Sequence, residues 1–176
     1  MKKLILALVV SLVLVFAIGA SALAENTFKA SYDVSGTLNM GVSQSLDNGF
    51  SFAYEYTSEV ADNICVGAGI ELELTRKFTG YSDGLSCIPI YGLLKYNFDN
   101  FYINGKLGYD IFTWTNLVPG LSTNGGLCYG AGFGINIDET NAIEIGYLVL
   151  NGTLNTGFGS ISGSYSKIGV TWGFKF

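Results

Sequence analysis

From Phe28 onward the chain alternates apolar and polar positions with a period of two. Phe28, Ala30, Tyr32, Val34, Leu38, Met40 and Val42 share one parity, with Lys29, Ser31, Asp33, Ser35, Thr37 and Asn39 on the other. Successive side chains of a strand point to opposite faces, so this spacing predicts a long strand, bent near Gly36. The pattern repeats along the chain. Phe50, Phe52, Tyr54 and Tyr56 oppose Ser51, Ala53, Glu55 and Thr57, and Ile64 to Leu74 oppose Cys65 to Thr75. Further strands are read from about Ile88 to Phe98, Phe101 to Ile111, Leu127 to Ile137 and Ile143 to Val149. In the last one, Ile168, Val170, Trp172, Phe174 and Phe176 face away from Tyr165, Lys167, Gly169, Thr171, Gly173 and Lys175. No stretch after Glu25 has helical periodicity.

The punctuation between strands predicts hairpins. Asp47-Asn48-Gly49, Ala61-Asp62-Asn63, Asp99-Asn100 and Asp138 to Asn141 read as tight turns. Thr79 to Ser86, Leu117 to Gly126 and Gly157 to Gly163 read as longer loops. Short and long connections alternate, apart from the short first one. That asymmetry, with about eight antiparallel strands, is the pattern of an up-and-down transmembrane β-barrel with short periplasmic turns. The expected fold is therefore all-β, an eight-stranded antiparallel up-and-down transmembrane barrel spanning 25–176. With the N-terminus periplasmic, Phe28, Phe98, Phe101, Phe174 and Phe176 fall at one level on the outward face, where an aromatic girdle belongs.

Composition narrows this picture. Charged residues are 13% of the 176, against roughly 25% in soluble domains. Lys2 and Lys3 precede an apolar run, Leu4 to Gly19, and Ala20-Ser21-Ala22-Leu23-Ala24. A charged start, an apolar stretch and small residues at the exit predict a signal peptide, residues 1–24, and export. There is no histidine, which removes the commonest general base and metal ligand. The net charge of -5 and the lack of a basic cluster leave no footprint for nucleic acid. Three cysteines, Cys65, Cys87 and Cys128, cannot all pair. A Cys87–Cys128 bridge requires Cα atoms within about 7 Å.

The charges fall on the face opposite the apolar rows. Asp33, Glu55, Glu71, Glu73, Lys95, Lys106, Asp110, Glu144 and Lys167 are expected to meet in the lumen as a charge network. An eight-stranded barrel is just wide enough for side chains to fill, and unpaired charges there are costly. Gly130, Gly132 and Gly134 are expected to leave room for long side chains. Their spacing is not that of a nucleotide loop, and no helix follows. Glu71 and Glu73 have the types needed for acid–base chemistry, but the ion-pair reading is preferred. Asn151-Gly152-Thr153 matches a glycosylation sequon but lies in a strand of an exported bacterial barrel, and is discounted. No catalytic, metal or cofactor site is expected.

At the C-terminus, Lys167-x-Gly169-x-x-Trp172-x-Phe174, with Phe176 at the end, resembles the β-signal read by the outer-membrane insertion machinery. More widely, IPIYGLLKYNF (Ile88 to Phe98), FYINGKLGYDIF (Phe101 to Phe112) and GLCYGAGFGINI (Gly126 to Ile137) resemble the small OmpA/OmpX/opacity-like outer-membrane barrels. The resemblance covers essentially the whole mature chain and marks a fold rather than an activity. It implies a bacterial outer-membrane location, lipid as surroundings, and the barrel-assembly machinery and periplasmic chaperones as partners during biogenesis. A monomer is expected, since a closed barrel has no open edge. The expected role is structural or surface-interacting, with a plugged lumen. A narrow small-solute channel is the alternative. A lipid-modifying barrel enzyme and a secreted lipocalin-like barrel rank lower, the first because such small barrels use a histidine, the second because an eight-stranded interior is too small for so many aromatics.

Overall fold

The computed structural model describes residues 24–115, 121–156 and 158–176. The expected leader, apart from Ala24, lies outside the described residues, as do 117–120 of the expected Leu117–Gly126 loop and Gly157. The elements are β1 (Ala24–Asn39), β2 (Ser43–Ser45), β3 (Gly49–Ala61), β4 (Ile64–Lys77), β5 (Gly84–Phe98), β6 (Phe101–Trp114), β7 (Ser122–Asn136), β8 (Asn141–Thr156) and β9 (Gly159–Lys175). Each long strand pairs antiparallel with the next. β1 then pairs with β9 from Thr27↔Lys175 to Asn39↔Ser164, closing an eight-stranded barrel. The three-residue β2 folds back onto the end of β1. Closure satisfies the backbone donors and acceptors of every long strand within the sheet, the condition for a sheet solvated by hydrocarbon.

Alternation then sorts the side chains. Outward positions are apolar and exposed; Leu107, Ile103 and Ile145 are examples. Inward positions include buried Lys29, Asp33, Glu55, Glu71, Glu73, Glu144 and Lys167. This reverses the burial of a water-soluble protein. It also removes the lipocalin-like alternative, which needed the aromatic rows inside.

One end carries the short turns. Asp62–Asn63 joins β3 to β4, with Asn63 at φ 65°; Asp99–Asn100 joins β5 to β6, with Asp99 at φ 53°. Asn and Asp tolerate this left-handed conformation better than other residues with a side chain. Residues 137–140 join β7 to β8. There the Thr140 amide and the Asn141 side chain donate to Asp138, and the amide bond first of all holds the carboxyl below the usual aspartate range. The aromatic girdle sits at this turn end. Phe28 lies opposite Phe174 on the neighbouring strand, and Phe174 stacks on Phe176 with ring centroids 6.2 Å apart. Phe98 and Phe101 stack at 6.1 Å, and Phe101 meets Phe133 at 5.7 Å.

The opposite, loop end departs from expectation at several points. On β1, Asp33 faces Gly169 but Ser35 faces Ile168, so one extra residue is inserted. A bulge of this kind moves every later side chain to the other face. Leu38 and Met40, expected outside with Phe28, therefore point inward; Leu38 is 4% exposed. A second bulge on β4, between Glu73 and Arg76, turns Thr75 outward and buries Arg76. The first connection is not a tight Asp47-Asn48-Gly49 hairpin but the segment 40–48, stitched down by β2. The Thr79–Ser86 loop contracts to 78–83, because β5 begins at Gly84. Within the expected glycine- and serine-rich loop Gly157–Gly163, the residues from Gly159 onward are strand. Gly159 to Gly163 pair residue by residue with β8, from Gly152↔Gly163 to Thr156↔Gly159. Backbone pairing with a neighbouring strand overrides a loop-like composition there. The same holds for β7, which starts inside the expected loop, at Ser122.

Candidate functional site

Among the described residues the lumen is where the charges converge, and the strands deliver them by alternation, with the β4 bulge adding Arg76. Lys29 and Asp33 come from β1, Glu55 from β3, Glu71, Glu73 and Arg76 from β4, Lys106 from β6, Glu144 from β8 and Lys167 from β9.

At the turn end, Glu25 meets Lys95 at 3.4 Å and Lys175 at 3.2 Å. The Lys95 ammonium sits 4.6 Å from the centre of the Tyr102 ring. In the middle, Lys29 bridges Glu55 at 2.8 Å and Glu144 at 2.7 Å. Lys106 adds a 2.9 Å contact to Glu55. The Tyr91 hydroxyl donates to Glu55 at 2.8 Å, and Tyr102 and the Asn104 amide donate to Glu144 at 3.0 and 2.9 Å. Higher up, Lys167 reaches Glu71 at 2.6 Å, Asp33 at 3.2 Å and Glu73 at 3.4 Å. Arg76 lies 3.6 Å from Glu73. The Tyr165 hydroxyl is hydrogen-bonded to both Glu73 and Arg76.

Across these ion pairs the cations are Lys29, Arg76, Lys95, Lys106, Lys167 and Lys175. The anions are Glu25, Asp33, Glu55, Glu71, Glu73 and Glu144. The two sets are equal in number, so the network is neutral when all are charged. Multiple carboxylate contacts and tyrosine donors are what a buried ion cluster needs to offset its desolvation.

Above the network the lumen turns apolar. Leu38, Leu46, Phe78, Leu85, Phe112 and Leu150 form a buried cluster against which Met40 and Trp114 pack. Arg76 fastens this lid, since its Nε donates to the Asp47 carbonyl at 2.8 Å. The remaining voids are small. A cavity of about 40 Å³ lies among Asp33, Glu71, Lys106, Glu144 and Lys167, with others of about 10 Å³ beside Glu25 and Lys95 and beside Phe112 and Trp114. A water needs about 10–15 Å³, so these voids have the size of isolated waters or small groups of them.

Of the nine lumen residues predicted from sequence, eight enter this network. Asp110 does not: among the described residues its carboxylate makes no ion pair. It is fully buried at the edge of the apolar cluster, with the Cys87 thiol and Ile88 amide facing it outside hydrogen-bond geometry. Cys87 and Cys128 are buried free thiols. They stand on β5 and β7 with β6 between them, two strand spacings of about 4.8 Å each, beyond bridging distance. Sequence reasoning left out Glu25, Lys29, Lys175 and Arg76. Lys29 and Lys175 share the inward parity of Asp33 and Lys167, a signal that was available. Arg76 carried none, because the β4 bulge changes its parity. Two of the three glycines leave space for long side chains: a Cβ on Gly132 would meet Glu144 Oε1 at 2.8 Å and one on Gly134 the Tyr102 ring at 2.1 Å, whereas one on Gly130 would first meet the Tyr147 carbonyl oxygen, at 2.4 Å. The residues of the expected insertion signal lie on β9 and just past its end. Lys167 and Gly169 point inward, and Trp172, Phe174 and Phe176 point outward. Among the described residues no group of three His, Cys, Asp or Glu side chains is arranged to hold a metal ion.

No family model matches the chain, and no curated protein matches it in sequence. Solved structures do match. The Neisserial surface protein A superposes with a TM-score of 0.57 at 14% identity, over 87% of this chain and 97% of that one. Ail, the attachment invasion locus protein of Yersinia pestis, gives 0.57 at 13% identity, over 88% of this chain and 100% of Ail. Ail in complex with the heparin analogue sucrose octasulfate gives 0.54 at 13% identity, over 88% of this chain and 100% of that one. Likeness at this identity is likeness of fold. The closed eight-stranded sheet, its charged interior and its apolar wall give this chain the fold of the small outer-membrane β-barrels.

Proposed function

We propose that the chain is a small integral barrel of the bacterial outer membrane with a closed lumen, acting as a structural and surface-contacting protein rather than as a pore. The observation that carries this reading is the filled interior. A neutral ion cluster occupies the lower and middle lumen, an apolar lid covers it, and the cavities among the described lumen residues measure about 40 and 10 Å³. Glu71 and Glu73, whose types suit acid–base chemistry, are both engaged by Lys167, which favours a structural role over a catalytic one. In this reading 1–24 directs export. Lys167, Gly169, Trp172, Phe174 and Phe176 are read by the barrel-assembly machinery, periplasmic chaperones escort the unfolded chain, and the folded protein is a monomer in lipid.

With the termini and short turns on the periplasmic side, 40–48 and 78–83 become the outward contacts. Loops on a rigid scaffold are where function concentrates. Ail has been seen with sucrose octasulfate, but the charged side chains that these two segments and the end of β4 leave outside the lumen are the exposed Asp47 and Lys77 and the half-buried Asp83. That balance is negative, so a polyanion is not the contact proposed for this chain.

Single-channel recording from the mature protein refolded into a planar bilayer tests the closed lumen. Inserted, folded protein is expected to pass no discrete current. Reproducible steps whose ion selectivity changes in Lys95→Gln or Lys106→Gln would make the narrow channel the correct reading.

A further inference from the structure

On the outer wall, where β8, β9, β1 and β3 run side by side, the apolar rows leave a groove of about 260 Å³. Register sets its shape. Ala30 of β1 stands between Trp172 of β9 and Phe52 of β3, and Tyr32 stands between Val170 and Phe50. Ile143 of β8 faces Trp172 from the other side. Ala30 is the smallest of these outward side chains, so the wall dips over it.

Two hydrogen bonds hold the dip open by drawing its large rings apart. Asn48 Nδ2 donates to the Tyr32 hydroxyl at 2.9 Å, from the loop side. Trp172 Nε1 donates to Asn141 Oδ1 at 3.1 Å, on the turn side, and the indole packs on Phe174 with centroids 6.1 Å apart. Tyr32 in turn packs on Phe50 at 5.2 Å. The walls therefore stand in place before anything fills the groove, which lowers the ordering cost of binding.

The turn end below the groove carries exposed charge of one sign. Glu59, Asp62, Asp99, Asp138 and Glu139 are exposed there, and its two lysines, Lys95 and Lys175, are turned inward onto Glu25. In the β7–β8 turn Asp138 is taken up by Thr140 and Asn141, whereas the Glu139 carboxylate has no partner among the described residues. Glu139 stands two residues from Asn141, which holds the Trp172 ring. We infer that the groove seats one acyl chain of a phospholipid whose headgroup carries a primary ammonium, with that ammonium on Glu139. Hydrocarbon is as apolar as the groove, so the seated chain gains contact rather than release from water, and the headgroup supplies the selection. A primary ammonium donates a charge-assisted hydrogen bond to a carboxylate. A quaternary ammonium has no proton to donate, and an anionic headgroup meets acids of like sign. The inference deepens the outer-membrane reading and rests on it for placing lipid against the wall.

Trp172, in the groove wall, is the reporter. A Trp114→Phe background leaves it alone, since the chain has two tryptophans. The mature protein is inserted into phosphatidylcholine vesicles that hold a small fraction of a lipid brominated on its acyl chains, with an ethanolamine, choline or glycerol headgroup. Quenching of Trp172 then measures which lipid lies against it. The ethanolamine lipid is expected to occupy the groove about twofold or more over the choline lipid, the scale of one exposed ion pair, and the glycerol lipid least. Ala30→Leu, which fills the dip, and Glu139→Gln, which leaves Asp138 to hold the turn, are each expected to remove that preference. Asp99→Asn, at the turn between β5 and β6, is expected to keep it. Equal quenching by the three lipids, a preference that survives in folded Ala30→Leu or Glu139→Gln, or one lost equally in Asp99→Asn would overturn the site and leave the barrel reading standing. An inserted barrel that none of the three lipids quenches would mean that a second chain covers the groove, which overturns the site as well. Failure to insert into the vesicles would end the membrane reading together with this one.

Discussion

Lys167 is the side chain on which the interior charge of the outward half converges. It is 5% exposed and contacts three carboxylates, those of Asp33, Glu71 and Glu73. Replacing it with methionine keeps most of the volume but leaves those acids facing one another in a buried interior, with at most a few enclosed waters between them. Removing one partner of a buried ion pair costs about 3–5 kcal/mol. Lys167→Met is expected to lower the unfolding free energy by that amount, read from reversible urea unfolding in lipid or detergent. Adding Glu71→Gln is expected to restore part of the loss, because the double change removes one of the stranded charges. A change below about 1 kcal/mol, the scale of a solvated surface pair, would show that water reaches these carboxylates freely. Asp110 is the contrasting residue. It shares the inward parity of Lys106 but makes no ion pair among the described residues, and it is buried beside Cys87 of the apolar cluster.

At the scale of elements, the period of two made the strands and their faces readable. Along β3, β6, β8 and β9 the outward rows follow the expected parity, with Val149 of β8 the one member that is buried, because each of these strands keeps one parity through its apolar span. Reading failed where a strand gains a residue. The insertions on β1 and β4 leave local composition unchanged while exchanging inside and outside for everything beyond them. So Leu38 and Met40 were assigned to lipid, and Arg76 to no site at all. Leu38, Met40, Leu46 and Phe78 of the lid lie beyond these bulges, so that part of it was not legible. Inward tyrosines were hidden for another reason. Tyr91, Tyr102 and Tyr165 are aromatic, and an aromatic on the polar parity looks like noise until its hydroxyl is seen on Glu55, Glu144 or Glu73. For β9 the pattern serves assembly as well as the wall. If Trp172, Phe174 and Phe176 are read by the insertion machinery, Phe174→Ser with Phe176→Ser will reduce assembled barrel in cells well below wild type. The purified variant will still refold into lipid, since both positions lie at the rim. Equal assembly in cells, or failure of both routes together, would remove the signal role.

The whole molecule is organised by an exchange of inside and outside, and this sets what each surface tolerates. In the reading proposed here hydrocarbon solvates the apolar wall, so a charge there must be dragged out of water, whereas above the wall it stays wet. On β6 the outward row runs Phe101, Ile103, Gly105, Leu107, Tyr109 and Ile111. Leu107, 62% exposed, lies near its middle. On β9 the outward row is apolar from Phe176 to Ile168 and then polar at Ser166, Ser164, Ser162 and Ser160. The change of composition marks where strand leaves lipid. Leu107→Arg is expected to destabilise the inserted barrel by about 2–4 kcal/mol, the cost of arginine near the bilayer midplane, and Ser162→Arg by about 0–1 kcal/mol. Both are measured by unfolding from lipid vesicles at the same pH. In water the order would be otherwise, because arginine on any exposed strand face costs little. Equal, small effects at the two positions would mean that the wall does not face lipid. A large cost at Leu107 alone places the bilayer on the middle of the barrel wall, and with it the serine row of β9 and segments 40–48 and 78–83 beyond the hydrocarbon.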